Sequence, residues 1–241
     1  MPKDLIYSNP KNPLGVFKFD ETVANVFPDM LHRSIPGYEL VLSMIRIFSG
    51  LYKEENRNYY DLGCSLGAAA IAMAKALNLK KAQIIAVDNS EAMIKKCQEN
   101  IKKAALKIPV NLKCADVLDI EIINAKIVIL NFTLQFINKE KRTEILKNIY
   151  NGLVNGGVLI LSEKISFSDI VEKEYNEFLY VEFKKANGYS DLEISQKRTA
   201  LENVLLPDTI KEHLERLEAC GFKKSYVWYQ CINFASIVAF K

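Results

Sequence analysis

The stretch Tyr59-Tyr60-Asp61-Leu62-Gly63-Cys64-Ser65-Leu66-Gly67-Ala68-Ala69-Ala70 restricts the fold more than any other part of the chain. A β-type run passes into a loop of small residues and then into an Ala-rich segment of high helix propensity. Gly63 and Gly67 admit positive φ and let a ligand come close to the backbone. The helix that follows is expected to offer unpaired N–H groups and a partial positive charge at its start. Asp61, at the end of the strand, places a negative charge beside them. A nucleotide-like ligand suits such a turn.

The rest of the chain alternates in the same way. Gln83 to Val87 is a compact apolar run ending at Asp88, and Ser90 is a candidate N-cap for a helix from Glu91 to Ala105. Val110 to Cys114 leads to Asp116. Ile127 to Leu130 is continuously apolar, as a parallel strand buried on both faces requires, and ends at Asn131. Lys139 to Leu153 has helical spacing and stops at Asn155-Gly156-Gly157; Val158 to Leu161 is a fifth strand. Repeated βα units predict a parallel sheet covered by helices, with ligands bound beyond the carboxyl ends of its strands. Gly63, Ser65, Asp88, Asp116 and Asn131 fall at those ends.

The flanks differ. Residues 1–20, with Pro2, Pro10, Pro13 and Gly15, read as an irregular arm lying over the sheet edge or the ligand; Glu39 to Phe48 reads as a helix after the Pro36-Gly37 turn. Helices are expected at about Ile170–Ala186, Asp191–Val204 and Thr209–Ala219. Tyr226 to Cys231 and Phe234 to Phe240 are separated only by Ile232-Asn233, which predicts an antiparallel hairpin. The chain thus divides into an arm and helix (1–57), a binding core (58–164), a helical insertion (165–207) and a terminal helix and hairpin (208–241), all within one domain.

At 241 residues, 49% hydrophobic and 25% charged, the chain has an ordinary globular composition. A net charge of +3 is too weak for a nucleic-acid footprint, so no direct nucleic-acid contact is expected. The Lys pairs, Lys184-Lys185 among them, read as solvated helix faces. Five cysteines without C-x-x-C spacing read as reduced thiols of a cytoplasmic protein. Neither histidine, His32 or His213, stands near a Cys in ligand spacing, so no metal is expected. No apolar run reaches the ~20 residues a membrane span needs.

Two ligands fit the opening loop by itself. Gly63-x-Ser65-x-x-Ala68 is a degraded dinucleotide fingerprint, whereas Asp61-x-Gly63-x-Ser65-x-Gly67 matches the S-adenosylmethionine loop with one Gly replaced by Ser. The strand-end series and the terminal hairpin favour the second. Together these positions resemble a Rossmann-like class I methyltransferase fold: a mostly parallel seven-stranded sheet with a C-terminal antiparallel hairpin, an N-terminal arm and a helical insertion. The likeness is closer in Arg33-Ser34-Ile35-Pro36-Gly37-Tyr38, Asn131-Phe132-Thr133-Leu134-Gln135-Phe136, Lys184-Lys185-Ala186-Asn187-Gly188-Tyr189-Ser190 and Ser195-Gln196-Lys197-Arg198-Thr199-Ala200. These segments resemble the carboxy-S-adenosyl-L-methionine synthase family, nearly end to end.

The resemblance implies conversion of S-adenosyl-L-methionine and prephenate into carboxy-S-adenosyl-L-methionine and phenylpyruvate. It also implies a homodimer and a separate tRNA uridine carboxymethyltransferase that consumes the product in wobble-uridine modification. The ligand positions it carries over are Tyr38; Gly63, Cys64 and Ser65; Asp88 and Asn89; Asp116 and Val117; Asn131; and Arg198. Each has a plainer reading: core packing for Tyr38, a close-packed backbone for Cys64, caps for Asp88 and Asp116, a solvated ion pair for Arg198. Arg198 discriminates best, because a guanidinium beside a plain sulfonium is unfavourable whereas a carboxymethyl sulfonium offers it a bidentate partner. No catalytic group is assigned. The rival readings are an ordinary methyltransferase of a small molecule or RNA, a non-catalytic binding module and an NAD enzyme.

Overall fold

Runs of β-branched and aliphatic residues build the sheet, and their alternation assigns its two faces. In the computed structural model, which describes residues 2–241, β1 (Asn58–Leu62), β2 (Gln83–Asp88), β3 (Val110–Cys114), β4 (Ala125–Asn131) and β5 (Leu153–Ser166) run parallel in the spatial order β3-β2-β1-β4-β5. A two-residue strand, β6 (Asp208–Thr209), pairs with the end of β5. β7 (Lys224–Cys231) and β8 (Phe234–Phe240) form the expected hairpin, with β8 antiparallel to β5. The main path therefore holds seven strands; the short β6 is an addition that periodicity cannot reveal in two residues.

Eight α-helices accompany these strands among the described residues: α1 (Glu21–Ser34), α2 (Tyr38–Leu51), α3 (Ala68–Ala74), α4 (Glu91–Ala104), α5 (Arg142–Gly152), α6 (Ile170–Ala186), α7 (Asp191–Leu201) and α8 (Ile210–Ala219). Ile127 and Ile129 of β4 pack with Val41 and Ile45 of α2, Met73 of α3 and Cys97 of α4. Val128 and Leu130 face the opposite way, onto Leu146 and Ile149 of α5 and Leu217 of α8. All four β4 side chains are fully buried, each stabilising the fold by roughly 1.5–3 kcal/mol.

α1 is a helix in a segment to which the sequence reading assigned no element. Pro28 lies inside it and withholds one backbone donor. Two features offset that cost. Asp20 caps the start, accepting from the Val23 N–H at 3.0 Å, and Phe27 and Met30 are buried with Tyr7, Phe17 and Met93. β5 also begins earlier than expected, because Leu153 already pairs with Ala125 across the Gly156-Gly157 segment. The predicted Lys139–Leu153 helix opens as a 3₁₀ turn, Lys139–Lys141, and becomes α-helical at Arg142.

A buried ion cluster fastens β6 and α8 to the body. Asp208 is fully enclosed, with Arg142 at 2.6 Å, Lys139 at 2.8 Å and Arg216 at 2.8 Å. These cations hold its carboxyl down to about 2 against the cost of burial. His213 is buried beside them, neither ring nitrogen has a hydrogen-bond partner among the described residues, and burial pushes it down from 6.5 to about 4. Between those values the unfolded chain binds a proton that folded His213 refuses, so the contribution of this residue to stability falls as pH drops from about 6.5 to about 4, by roughly 3 kcal/mol. Asp208 contributes throughout that window and is lost only as pH falls from 3.8 through about 2. Because burial raises the Asp61 and Glu163 carboxyls, which contribute with the opposite sign, the His213 contribution is expected as a difference in urea unfolding across pH 7 to 4: His213→Gln should lose less stability, or gain more, on acidification than wild type, and an equal pH dependence in the two assigns the titration elsewhere.

Candidate functional site

β1 and β4 are neighbours, yet the chain leaves β1 towards β2 and leaves β4 towards β5. A crevice opens at their carboxyl ends, where open α/β sheets bind ligands. The turn after β1 is left-handed at Gly63 (φ +79°), Ser65 (φ +46°) and Gly67 (φ +84°). A Cβ on Gly63 would collide with the Thr133 side chain, and one on Gly67 would come within 2.7 Å of Cys97 Sγ. The loop is then fastened from beneath. Gly63 and Cys64 N–H groups both donate to Val87 O at 2.8 Å. Asp88 accepts from Ser65 N on one oxygen and from Ser90 N on the other, each at 2.9 Å.

Asp61 is completely buried. Its Oδ2 accepts from Ala70 N at 2.8 Å, so one amide expected to be free for a ligand is used internally; Oδ1 has no partner among the described residues. Burial, with a smaller contribution from the Asp88 charge, pushes the Asp61 carboxyl up to about 7. Asn131, at the end of β4, likewise keeps a buried Oδ1 without a partner. The turn after it is rigid: Thr133 Oγ1 donates to Leu62 O at 2.8 Å, and buried Glu163 accepts from Leu134 N and Gln135 N at 2.8 and 2.9 Å. Cys64 is buried, and its thiol is pushed up by hydrogen bonding with Cys97 and then by burial, which leaves it no nucleophile.

All ten positions singled out in the sequence line one cavity of about 1100 Å³: Tyr38, Gly63, Cys64, Ser65, Asp88, Asn89, Asp116, Val117, Asn131 and Arg198. Tyr38 closes one side, buried against Phe132 and His32, and burial pushes its hydroxyl well up. Asp116 caps the turn that begins at Val117, accepting from Leu118 N at 2.9 Å. Arg198 sits at the rim, 73% exposed, 3.4 Å from Glu177.

The structure gives this cavity a basic end that the residues alone did not assign. Lys164, Lys184 and Lys197 line it with Arg198, the first two beside the ring of Tyr180 and Lys197 beside that of Tyr189. Lys184 had been grouped with solvated lysines; it is buried, while its neighbour Lys185 is exposed and paired with Glu182 and Asp191. Helical spacing carried the signal. Glu177, Tyr180, Val181 and Lys184 recur at one face of α6 and all reach the cavity. Desolvation pushes Lys164 and Lys197 down to about 8 and Lys184 down to about 7.

Solved methyltransferases have a similar fold. A putative S-adenosyl-L-methionine-dependent methyltransferase of Methanococcus maripaludis superposes with a TM-score of 0.60 at 21% identity, covering 97% of this chain and 95% of that one. Human N-acetylserotonin methyltransferase, solved in complex with SAM, gives 0.61 at 14% identity, covering 92% and 55%. A family model described as a methyltransferase domain matches residues 60–157. The likeness is one of fold, that of the class I methyltransferases. Carboxy-S-adenosyl-L-methionine synthases of Psychromonas ingrahamii and Aliivibrio fischeri are each 50% identical over 238 residues, 99% of this chain and 98% of theirs; that of Shewanella sediminis is 48% identical over 239. The chain belongs to the carboxy-S-adenosyl-L-methionine synthase family.

The partnerless oxygens of Asp61 and Asn131 fit the amino-acid end of such a ligand, which carries an ammonium and a sulfonium. A cation favours the ionised carboxylate, so S-adenosyl-L-methionine affinity is expected to rise with pH through about 7 as Asp61 ionises, then level off. Calorimetric titration from pH 6 to 8 checks this. Asp61→Asn is expected to weaken binding about 10- to 100-fold and to remove the pH dependence. A flat wild-type profile excludes Asp61 as the titrating partner.

Proposed function

We propose that the enzyme converts S-adenosyl-L-methionine and prephenate into carboxy-S-adenosyl-L-methionine and phenylpyruvate. The observation that carries this reading is one continuous cavity with an acidic, glycine-lined end and a basic end formed by Lys164, Lys184, Lys197 and Arg198. A methyl donor alone brings one α-carboxylate to a cavity with four cations at its basic end. A dianionic second substrate supplies further negative charge.

In this reading Asp88 and Asn89 hold the ribose and Asp116 with Val117 flank the adenine. Gly63, Cys64 and Ser65 pass the methionine portion, while Tyr38 and Asn131 close over it. Asp88 retains accepting capacity, since its two oxygens each take one N–H in the protein. Arg198 holds the carboxylate of the product; its present partner, exposed Glu177 at 3.4 Å, is a weak competitor for a bidentate carboxylate.

When bound, S-adenosyl-L-methionine supplies the sulfonium methyl that receives the carboxyl carbon. The balance is closed: prephenate gives up its ring carboxyl and its hydroxyl as the ring aromatises, the methyl gives up one proton, and hydroxide and proton leave as water. The residues orient the two substrates and exclude water around them. Phe17, Phe19 and Phe136 form an apolar wall suited to retaining CO2.

Further expectations belong to the same reading. The exposed Ile170, Val171, Tyr175 and Phe178 of α6 support a homodimer. Five free cysteines support a reducing, cytoplasmic setting; no helix is long and apolar enough to cross a membrane among the described residues. A tRNA uridine carboxymethyltransferase is the consumer of the product, and no metal takes part.

Two measurements test the reaction. The ligand that copurifies is expected to be heavier than S-adenosyl-L-methionine by one CO2, and prephenate labelled at its ring carboxyl should deliver the label to the product. Label arriving only from solvent bicarbonate overturns the proposed route. Arg198→Ala is expected to lower the preference for carboxylated over plain ligand about 10- to 100-fold, measured by competition binding; an unchanged ratio removes Arg198 from that role.

A further inference from the structure

Two of the four cations at the basic end have protein partners and two do not. Lys197 donates to Ser34 Oγ at 3.1 Å and lies 3.5 Å from Asp4, and Arg198 meets Glu177. Lys164 and Lys184 have neither a hydrogen-bond acceptor nor an ion-pair partner among the described residues. Their Nζ atoms instead stand 4.8 and 4.3 Å from the centroid of the Tyr180 ring. One aromatic ring compensates two desolvated ammonium groups only in part, and buried charges are ordinarily paired.

Resting on prephenate as the second substrate, we propose that Lys164 and Lys184 form, over Tyr180, the receptor for the carboxylate that prephenate keeps, the one on its pyruvyl side chain. The two lysines come from different elements, β5 and α6, and Tyr180 is held against Phe234 of β8 at 5.4 Å. The receptor is therefore built on the sheet and one helix rather than on a mobile loop. Burial pushes both lysines down, and Lys184 is lowered further by Lys164, Lys197 and Arg198. A carboxylate between them relieves desolvation and repulsion together. The cavity, about 1100 Å³, exceeds the usual range for one small ligand and leaves room for two.

The choice of carboxylate follows from the reaction. The ring carboxyl loses its charge as CO2 forms. A tight ion pair would stabilise it in the ground state more than in the transition state and slow its loss. The pyruvyl carboxylate keeps its charge throughout, so pairing it binds ground and transition states alike and orients the ring without raising the barrier.

The test is steady-state formation of carboxylated product by the intact enzyme with prephenate varied, beside calorimetric binding of S-adenosyl-L-methionine. Lys184→Met and Lys164→Met are each expected to raise KM for prephenate about 10- to 100-fold, with S-adenosyl-L-methionine affinity within about threefold of wild type. Lys184→Arg should recover most of the loss, and Lys185→Met should change neither quantity. Phenylpyruvate, which retains only the pyruvyl carboxylate, should inhibit wild type competitively and weaken in the lysine variants by the same factor as prephenate. Unchanged KM in both methionine variants overturns the receptor. Weakened prephenate with unweakened phenylpyruvate overturns the choice of carboxylate. A parallel loss of S-adenosyl-L-methionine binding and melting temperature in both methionine variants and in Lys184→Arg marks a packing role and also overturns it. Wild-type enzyme inert towards prephenate refutes the proposed function instead, before any variant is compared.

Discussion

The divergence of the chain from two adjacent parallel strands is the constraint on which the site depends. β1 and β4 lie side by side, and their exits in opposite directions leave a crevice that no connection crosses. The crevice alone would be loose. It becomes a defined site because the turn after β1 and the turn after β4 lock together through Thr133, whose hydroxyl donates to Leu62 O and whose side chain fills the space a Cβ on Gly63 would need. Asp88 extends the lock to β2 and the start of α4. Three strand ends are thereby held at fixed separation before any ligand arrives, and preorganisation of this kind lowers the entropy lost on binding.

The cavity so formed is polarised and unsatisfied at both ends. Asp61 is driven towards its neutral form, up to about 7, and Lys184 towards its neutral form, down to about 7. Opposite charges within one cavity would ordinarily neutralise each other. Here they stand on different elements, and no ion pair joins them among the described residues. Each end therefore awaits a counterpart from outside: a cation beside Asp61, an anion beside Tyr180. In the proposed reaction the sulfonium amino acid supplies the first, and the dianion adds to its single α-carboxylate in supplying the second.

Much of this was legible in the residues. The parallel sheet follows from alternating βα units, and the hairpin follows from the short Ile232-Asn233 link. The strand-end polar residues were placed in one cavity because parallel strands present their ends together. What escaped notice has a physical cause in each case. α1 was hidden by Pro28, whose local cost is outweighed by long-range burial of Phe27 and Met30. β6 is two residues long and owes its existence to the ion cluster around Asp208. Lys184 was hidden by Lys185, since a charged pair reads as solvent-facing unless the helix phase is followed back to Tyr180 and Glu177. Arg198 was found by resemblance, and geometry places the lysines in the same cavity.

The N-terminal arm decides which cations stay unpaired. Asp4 accepts from Tyr189 Oη at 2.6 Å and lies 3.5 Å from Lys197, while its own N–H donates to Asp29. Gln196 holds the arm along α7, donating to Tyr7 O and Asn9 O and accepting from Lys11 N. The arm thus carries an acid to α7 and none to α6. Lys197 and Lys184, alike in chemistry and both facing the cavity, are given different fates by that one delivery. Phe17 and Phe19 of the same arm line the cavity, while the unpaired lysines lie over Tyr180, which packs on Phe234. Exclusion of water makes an unpaired ammonium costly, and the same cost makes it selective: the contacts that remove solvent from Lys164 and Lys184 are those that strengthen their attraction for a carboxylate.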